Sequence, residues 1–444
     1  MRRKPGEFPD SDYDDVGSDY DISPALSGGI RGRFSQLVNL RTFESLRNPA
    51  FRLYWSASLC QMTSMNMQIM ARSLLIYRLT GSTTVLGIMS LFHAIPMLFL
   101  SLFGGVIADR VQKKYAIMVG QAASAVVSLA VALTLMSGYL SETNEGSWWV
   151  LAIASLFQGI VMGLMMPSRQ AMVPELVGEE QLLNALSLNN VGMSSMRFIS
   201  PAVAGFLIEA FDFEAVYFTM TGMYLLAVLL VSFLPRTGTT TLRGSGALND
   251  IREGIKYLRH QTTIIFILLL TLFAVLLSMP YMMLMPVFTD DILKVGADGY
   301  GILMSVSGIG SIVGSIALAS LPNRKRGLLL LLSSLTIGIF LTAFAFSTSW
   351  PLSLGLIVFV GLGTTGRMTL GNTLIQYYVD PEYRGRVMSV YMMEFGLTSF
   401  GTVIAGVLAD TAIGVQWTVG GFSMVLIVIS LAALVFAGRL RRLD

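Results

Sequence analysis

Charge, cysteine and histidine are what this sequence has least of. Asp, Glu, Lys and Arg make up 13% of its 444 residues, about half the roughly 25% of an ordinary soluble domain. With 54% hydrophobic residues, a soluble fold would have too little polar surface to cover its core; lipid covers an apolar exterior instead. The single cysteine, Cys60, excludes an intramolecular disulfide framework and a cysteine-based metal site. Two histidines, His93 and His260, are too few for a structural zinc site. No nucleophile–base pair can be assembled from these residues, and no Gly-x-x-x-x-Gly-Lys-Ser/Thr phosphate loop occurs. The expectation is a protein that is not an enzyme, needs no cofactor or metal, does not burn ATP and has no nucleic-acid partner. An apolar stretch near the start, as a signal peptide needs, is also missing. Residues 1–47 instead form a polar tail containing "GEFPDSDYDDVGSDYD", acidic and expected to be disordered in the cytoplasm.

What the chain does have is apolar runs of about 20 residues, the length that spans a bilayer as helix. Twelve are expected, at about 52–76, 84–108, 115–137, 147–167, 187–209, 215–234, 263–288, 299–320, 327–347, 351–375, 387–409 and 415–437. Orientation follows from Lys and Arg, which favour cytoplasmic segments. With the N-terminus inside, all but five of them fall in the tails, the linker and the inner loops. Arg78 and Lys294 lie in outer loops, and Arg72, Arg197 and Arg367 inside runs. The outer loops are acidic, with Glu142, Glu145, Glu209, Asp212, Glu214, Asp290 and Asp291. Both termini are therefore expected in the cytoplasm of a protein of the cell (inner) membrane.

The longest internal polar segment, 236–262, divides six runs from six. Its second part, from Asn249, alternates Ile251, Ile255 and Leu258 with charges, as an amphipathic surface helix does. The halves echo each other. "AGFLIEA" at Ala204–Ala210 aligns with "AGVLADT" at Ala405–Thr411, and "VGEEQLLNALS", ending at Ser187, with "VDPEYRGRVMS", ending at Ser389. "LGIMS" from Leu86 matches "YGILM" from Tyr300. The expected fold is an all-α membrane protein of twelve transmembrane helices in two six-helix bundles, 48–235 and 263–438, related by a pseudo-two-fold repeat. A basic C-terminus, 439–444, completes it. Duplicated halves around a midplane site are a transporter plan.

The connection "GVIADRVQKK", Gly105–Lys114, resembles the signature loop of the major facilitator superfamily, G-x-x-x-D-R-x-G-R/K-R/K, with Gln112 at the second glycine. "NPAFRLYW" at Asn48–Trp55, "YRLTGS" at Tyr77–Ser82, "PSRQAMVPELV" at Pro167–Val177 and "RGRVMSVY" at Arg384–Tyr391 resemble a bacterial branch of enterobactin exporters, drug/proton antiporters and transmembrane secretion effectors. The resemblance implies proton-driven alternating access by two rocking bundles. It also implies an inner gate latch of Asp109, Arg110, Lys113 and Lys114, with the Asp at the N-terminus of the eleventh run, where Arg384 and Arg386 stand. The second-half counterpart carries Ala319 in place of the Asp, so the latch is one-sided. The antiporter signature G-P-x-x-G-G reads Ser200-Pro201-Ala202-Val203-Ala204-Gly205. Met65 stands where the resembling exporters carry an acid.

Ionisable groups inside a bilayer are costly, from about 2.5 kcal/mol upward, so each is a functional candidate. Glu394 and His93 are candidates for proton coupling; the competing readings are an ion pair of Glu394 with Arg367 or Arg197, and a packing hydrogen bond for His93. Gln61, Gln68 and Arg72 form a stripe with Met65, and Asn190 and Arg197 share a face with Ser194 and Pro201. Both patterns suit a substrate cavity, as does Arg367. The alternatives are snorkelling of Arg72 to the outer interface, pairing of Arg197 with a neighbouring helix, and anchoring of Arg367 towards the cytoplasm. "SMPYMMLMPVF" in the seventh run offers methionines that suit varied apolar ligands or face lipid. The expected function is proton-coupled efflux of small amphipathic compounds, drug- or siderophore-like, by a monomer in the lipid bilayer; import or facilitated passage on the same scaffold is the alternative.

Overall fold

The computed structural model describes residues 41–141, 144, 146–235, 253, 256–259, 261–321, 324–441 and 443; for 41–43, 102–103, 105–110, 179–180, 395 and 439 it describes the backbone only. The acidic tail to residue 40, most of the 236–262 linker with its expected surface helix, and His260 lie outside the described residues. Among those residues every regular element is helical. The long helices are α1 (Pro49–Thr80), α2 (Thr83–Arg110), α3 (Lys113–Met136), α4 (Trp149–Leu176), α5 (Glu179–Ser232), α6 (Thr262–Ser278), α7 (Gly296–Ser320), α8 (Arg326–Ala345), α9 (Trp350–Tyr378), α10 (Arg384–Ala409) and α11 (Gly414–Phe436).

Ten helices, α2 to α11, are long and apolar enough to cross a membrane. The odd one out is α1, and its polarity has a structural reason. Ser58, Gln61, Ser64, Gln68, Arg72 and Ser73 are all buried along it, so its polar side chains meet protein rather than lipid. Its ends are written in the sequence. Asn48 caps the start by accepting from the Ala50 and Phe51 N–H groups at 3.0 and 3.3 Å, and Pro49 fills the first position. Gly81 ends the helix in left-handed conformation (φ 59°), donating 2.8 Å to Tyr77 O.

Two expected runs, 187–209 and 215–234, share the single element α5. Its 54 residues are broken at Asp212, where φ is 68° and ψ 176°. At about 1.5 Å per residue an unbroken helix of this length would be some 80 Å long, more than twice a bilayer core. The first limb packs on α1 through Gly192 against Trp55 and Leu59; the second accepts from Ser128 of α3 at Tyr217 O, 2.9 Å. The expected run 263–288 is shorter as a helix. It stops at Ser278, and Pro280 and Pro286, which have no N–H to give, divide the rest into Pro280–Met283, Met285–Val287 and a π-turn at Phe288–Ile292. Of its methionines Met285 is fully buried, and the half-buried Met282 and Met283 pack against the core.

The helices define a near end, carrying Asn48, and a far end, carrying Gly81. At the far end one continuous core holds Leu74, Tyr217, Phe288, Tyr300, Phe344 and Ala405 from both halves of the sequence. Towards the near end the core divides. Phe51, Tyr54, Ile117 and Met172 form one cluster, and Ile264, Leu330, Leu374 and Tyr391 another. The repeat marks where the halves touch. A Cβ on Gly205 of α5 would stand 2.5 Å from Ala297 O of α7, and one on Gly406 of α10 would stand 2.4 Å from Thr83 O of α2. Only glycine permits such backbone approach. The repeated Ala-Gly pairs are thus equivalent helix crossings.

Asp212 supplies a test of the break in α5. Positive φ with extended ψ is a glycine region that costs other residues of order 1–3 kcal/mol. Asp212→Gly should keep or raise the melting temperature of the purified protein and Asp212→Val should lower it; the reverse order would show that the break is not strained.

Candidate functional site

The far end is closed by polar contacts between the halves. Arg78, at the end of α1, donates through Nε to Asp290 Oδ2 at 2.9 Å, and the Tyr77 hydroxyl donates to Asp291. Asp410, following α10, sits on the start of α2. It accepts from the Thr83 and Thr84 N–H groups at 2.9 Å each, from Ser82 Oγ at 2.6 Å and from Thr83 Oγ1 at 2.8 Å. First-turn N–H groups have no partner within their own helix, and the helix dipole favours an anion there. Burial raises the Asp410 pKa, but the bonds from Ser82, Thr84 and Thr83 outweigh it and hold the carboxyl well below the usual range. A depressed carboxylate contributes fully above its unfolded value of about 4 and loses its contribution only as pH falls further. The clasp is therefore fully charged at neutral pH.

At mid-depth, α6, α9 and α10 bring Thr271, Arg367 and Glu394 together. Each lies about ten residues from the near end of its helix, roughly 15 Å at 1.5 Å per residue, about the middle of a hydrocarbon core of roughly 30 Å. Glu394 is buried; Thr271 Oγ1 lies 2.5 Å from its Oε1 and Arg367 Nη1 4.0 Å from its Oε2. Arg367, 2% exposed, leaves Nε without a partner. The threonine suits both protonation states. A carboxylate accepts the hydroxyl proton, whereas a carboxylic acid donates to Thr271 Oγ1, whose own proton then turns to Ile267 O, 2.9 Å away. Glu394 can thus gain or lose a proton without losing this contact, while the attraction to Arg367 exists only in the charged state.

A cavity of about 610 Å³ opens towards the near end, lined by Met368, Thr369, Asn372, Thr373, Gln376 and Tyr377 of α9 and by Arg384. The α9 residues recur at three- and four-residue spacing, so hydroxyl, amide, thioether and aromatic groups share one face. Across the sequence, Asn190 and Arg197 of α5 are exposed. Phe206, also exposed, lies nine positions beyond Arg197 and so about 180° around the helix.

A family model described as transmembrane secretion effector matches residues 40–444. The chain belongs to this family, within the major facilitator superfamily. It is 25% identical over 327 residues to the staphyloferrin A transporter of Staphylococcus aureus (strain NCTC 8325 / PS 47), covering 73% of this chain and 81% of that protein. It is 26% identical over 346 residues to macrolide efflux protein A of Streptococcus pyogenes, covering 74% and 82%. The crystal structure of the nucleoside transporter NupG superposes with a TM-score of 0.66 at 13% identity, covering 87% of this chain and 99% of that one. This secretion effector relative is accordingly a multi-pass membrane protein with a major facilitator fold.

The other residues singled out in this family member have the following surroundings. Lys113 pairs with Glu175 of α4, and Lys114 Nζ donates to Ser232 O at 2.7 Å and Leu234 O at 2.6 Å, at the end of α5. In this arrangement, with the near end divided, both lysines contact helices of their own half, Lys114 at the free carbonyls of a helix C-terminus. The side chains of Asp109 and Arg110 lie outside the described residues. Arg386 pairs with Glu253 at 2.9 Å and covers the Tyr383 ring at 5.3 Å. Arg72 neither snorkels nor lines the near-end cavity: it is buried and donates to Ser155 Oγ at 3.2 Å. Gln61 and Gln68 are buried too, Gln61 Nε2 lying 3.9 Å from Met165 Sδ. His93 lies beside Arg72 and the Ser155 backbone, its Nδ1 unpartnered. Asp410 was missed, although the repeat that aligns it with Glu209 was the available signal; Glu209 Oε2 lies beside Gly296 at the start of α7.

Opening the far end has to break the Asp410 contacts. In a Cys60→Ser background with Ser90→Cys, buried between α2 and α10, Asp410→Asn should speed maleimide labelling several-fold. An unchanged rate would remove the clasp from the closure.

Proposed function

We propose that this protein exports small amphipathic compounds, drug- or siderophore-like, in exchange for protons, with Glu394 as the proton-binding group. The observation that carries the reading is the buried carboxylate itself, held at mid-depth between a hydroxyl at 2.5 Å and a guanidinium at 4.0 Å. Protonation removes the counter-charge of Arg367. The guanidinium then favours a second arrangement of α9, and the cavity face begins at the next residue, Met368. Proton entry and cargo release are thereby coupled through one helix. The names of the relatives, a staphyloferrin A transporter and a macrolide efflux protein, support small-compound cargo and outward direction.

The same reading gives twelve crossings. The limbs of α5 on either side of Asp212 count as two, and buried, polar α1 supplies the remaining crossing. The two bundles are 48–235 and 263–438. The distribution of Lys and Arg puts the near end in the cytoplasm, so the divided core and the cavity open where export cargo loads. Asp109 and Arg110, with Arg384 and Arg386 on the facing helix, would close that end when the far end opens, in a protein acting as a monomer.

The test is transport into inverted membrane vesicles with an imposed proton gradient, using ethidium or erythromycin as probe. Accumulation should collapse with a protonophore. Glu394→Gln should abolish proton-driven accumulation while retaining passive exchange of the probe. Proton-driven transport at the wild-type rate in that variant would exclude Glu394, and uptake only in the opposite direction would make the protein an importer.

A further inference from the structure

Charge and donors are unevenly distributed in the near-end cavity. Among the described residues that line it, Arg384 alone is charged. It is exposed, at the first position of α10, and has no ion pair or hydrogen bond among the described residues. The acids nearest in sequence do not neutralise it. Asp380 lies outside the lining and accepts from the Tyr257 hydroxyl at 3.0 Å; Glu382 also lies outside the lining. The first turn of α10 holds no acidic residue and its start has no side-chain cap, so the positive end of the helix dipole adds to the same field. The uncharged groups lean the same way. Gln376 Nε2 donates to Asn372 Oδ1 at 2.6 Å, which engages the acceptor side of Asn372 and leaves its two N–H donors available. Deeper in α9, Thr364 returns its hydroxyl proton to Val360 O at 2.8 Å, as helix hydroxyls commonly do. Thr369 and Thr373 do not: neither hydroxyl has a partner among the described residues. Arg384 and Thr369 are exposed, and Asn372 and Thr373 half-buried, so all four can be reached from the cavity.

We propose that the cargo of this cavity is an oxygen-rich organic anion, an amphiphile bearing a carboxylate, and not a lipophilic cation. The carboxylate pairs with Arg384 at the mouth, where a guanidinium can donate two parallel bonds to it. Further oxygens of the cargo accept from Thr373, Asn372 and Thr369 along α9. Its apolar end reaches the Met368 thioether, about 13 Å deeper than Tyr377 at 1.5 Å per residue. The inference rests on the exporter reading of the cavity and narrows its cargo by charge. It also gives closure of the near end a second consequence. In that reading Asp109 meets Arg384 and Arg386 as the near end shuts. Asp109 and the cargo carboxylate then compete for the Arg384 guanidinium, and closing strips the anion of its anchor before the far end opens.

Two dyes with the same xanthene body test the sign of the charge: carboxyfluorescein is anionic and tetramethylrosamine cationic. The experiment is fluorescence anisotropy of each dye with the purified full chain in a neutral detergent at constant salt. Carboxyfluorescein should bind about five-fold more tightly than tetramethylrosamine. Arg384→Gln should raise the carboxyfluorescein Kd about ten-fold, as the loss of one hydrogen bond between charged groups implies. Arg384→Lys should recover part of that loss, and neither change should weaken tetramethylrosamine binding. Thr369→Val combined with Thr373→Val should raise the carboxyfluorescein Kd several-fold. Equal or tighter binding of tetramethylrosamine would overturn the proposal, as would a carboxyfluorescein Kd unchanged by Arg384→Gln, or binding of neither dye. Equilibrium binding needs no proton exchange, so these outcomes are independent of proton-driven accumulation in vesicles. Loss of that accumulation with the preference for the anionic dye intact would sink the exporter reading and leave the cargo class standing.

Discussion

The cost of charge in a medium that cannot solvate it governs this molecule. In lipid, backbone groups must find partners within their own segment, which leaves helices as the element available to a chain of this composition. Side chains face the same constraint. Arg367 is balanced by Glu394, Lys113 by Glu175, and the exposed arginine of α5 lies opposite the exposed Phe206. Even the departure of α1 from membrane-helix composition follows, since its polar groups are enclosed by other helices.

The second organising feature is the backbone approach of small residues. Where Gly205 and Gly406 let helices from different halves come into contact, hydrogen-bonding carboxylates and hydroxyls gather at the same end, and one apolar core spans both halves. Towards the other end each half keeps its own core. A closed far end and a divided near end are thus the same fact, expressed once in polar contacts and once in apolar packing.

Most helices were legible because an apolar run of bilayer length has few other fates. The borders of α1 were legible residue by residue: Asn48-Pro49 starts a helix and Gly81 ends one for local reasons. Pro280 and Pro286 likewise announce a broken seventh run, but the apolar pattern continues through them and conceals the break. Glu394 was legible as an anomaly, and its pairing with Arg367 stood among the readings the sequence left open. Asp410 was not singled out, because at the end of an apolar run an aspartate looks like any loop residue. Its role depends on Thr83, some 330 positions away. For Lys113 and Lys114 the motif implied a latch, and in this arrangement their acceptors lie on α4 and at the end of α5.

By itself, the sequence determined the class of molecule, the order of its apolar runs and the short register of polar residues they carry inside. These follow from composition and local periodicity, which act over a few turns of chain. Tertiary structure alone decided which polar residues meet. It put Glu394 against Thr271 and Arg367, left Arg72 without a carboxylate and set Asp410 on a helix start. The physical reason is range. Helix formation is settled by neighbours a few residues apart, whereas the charge balance of a buried site is settled by whichever distant helices pack around it.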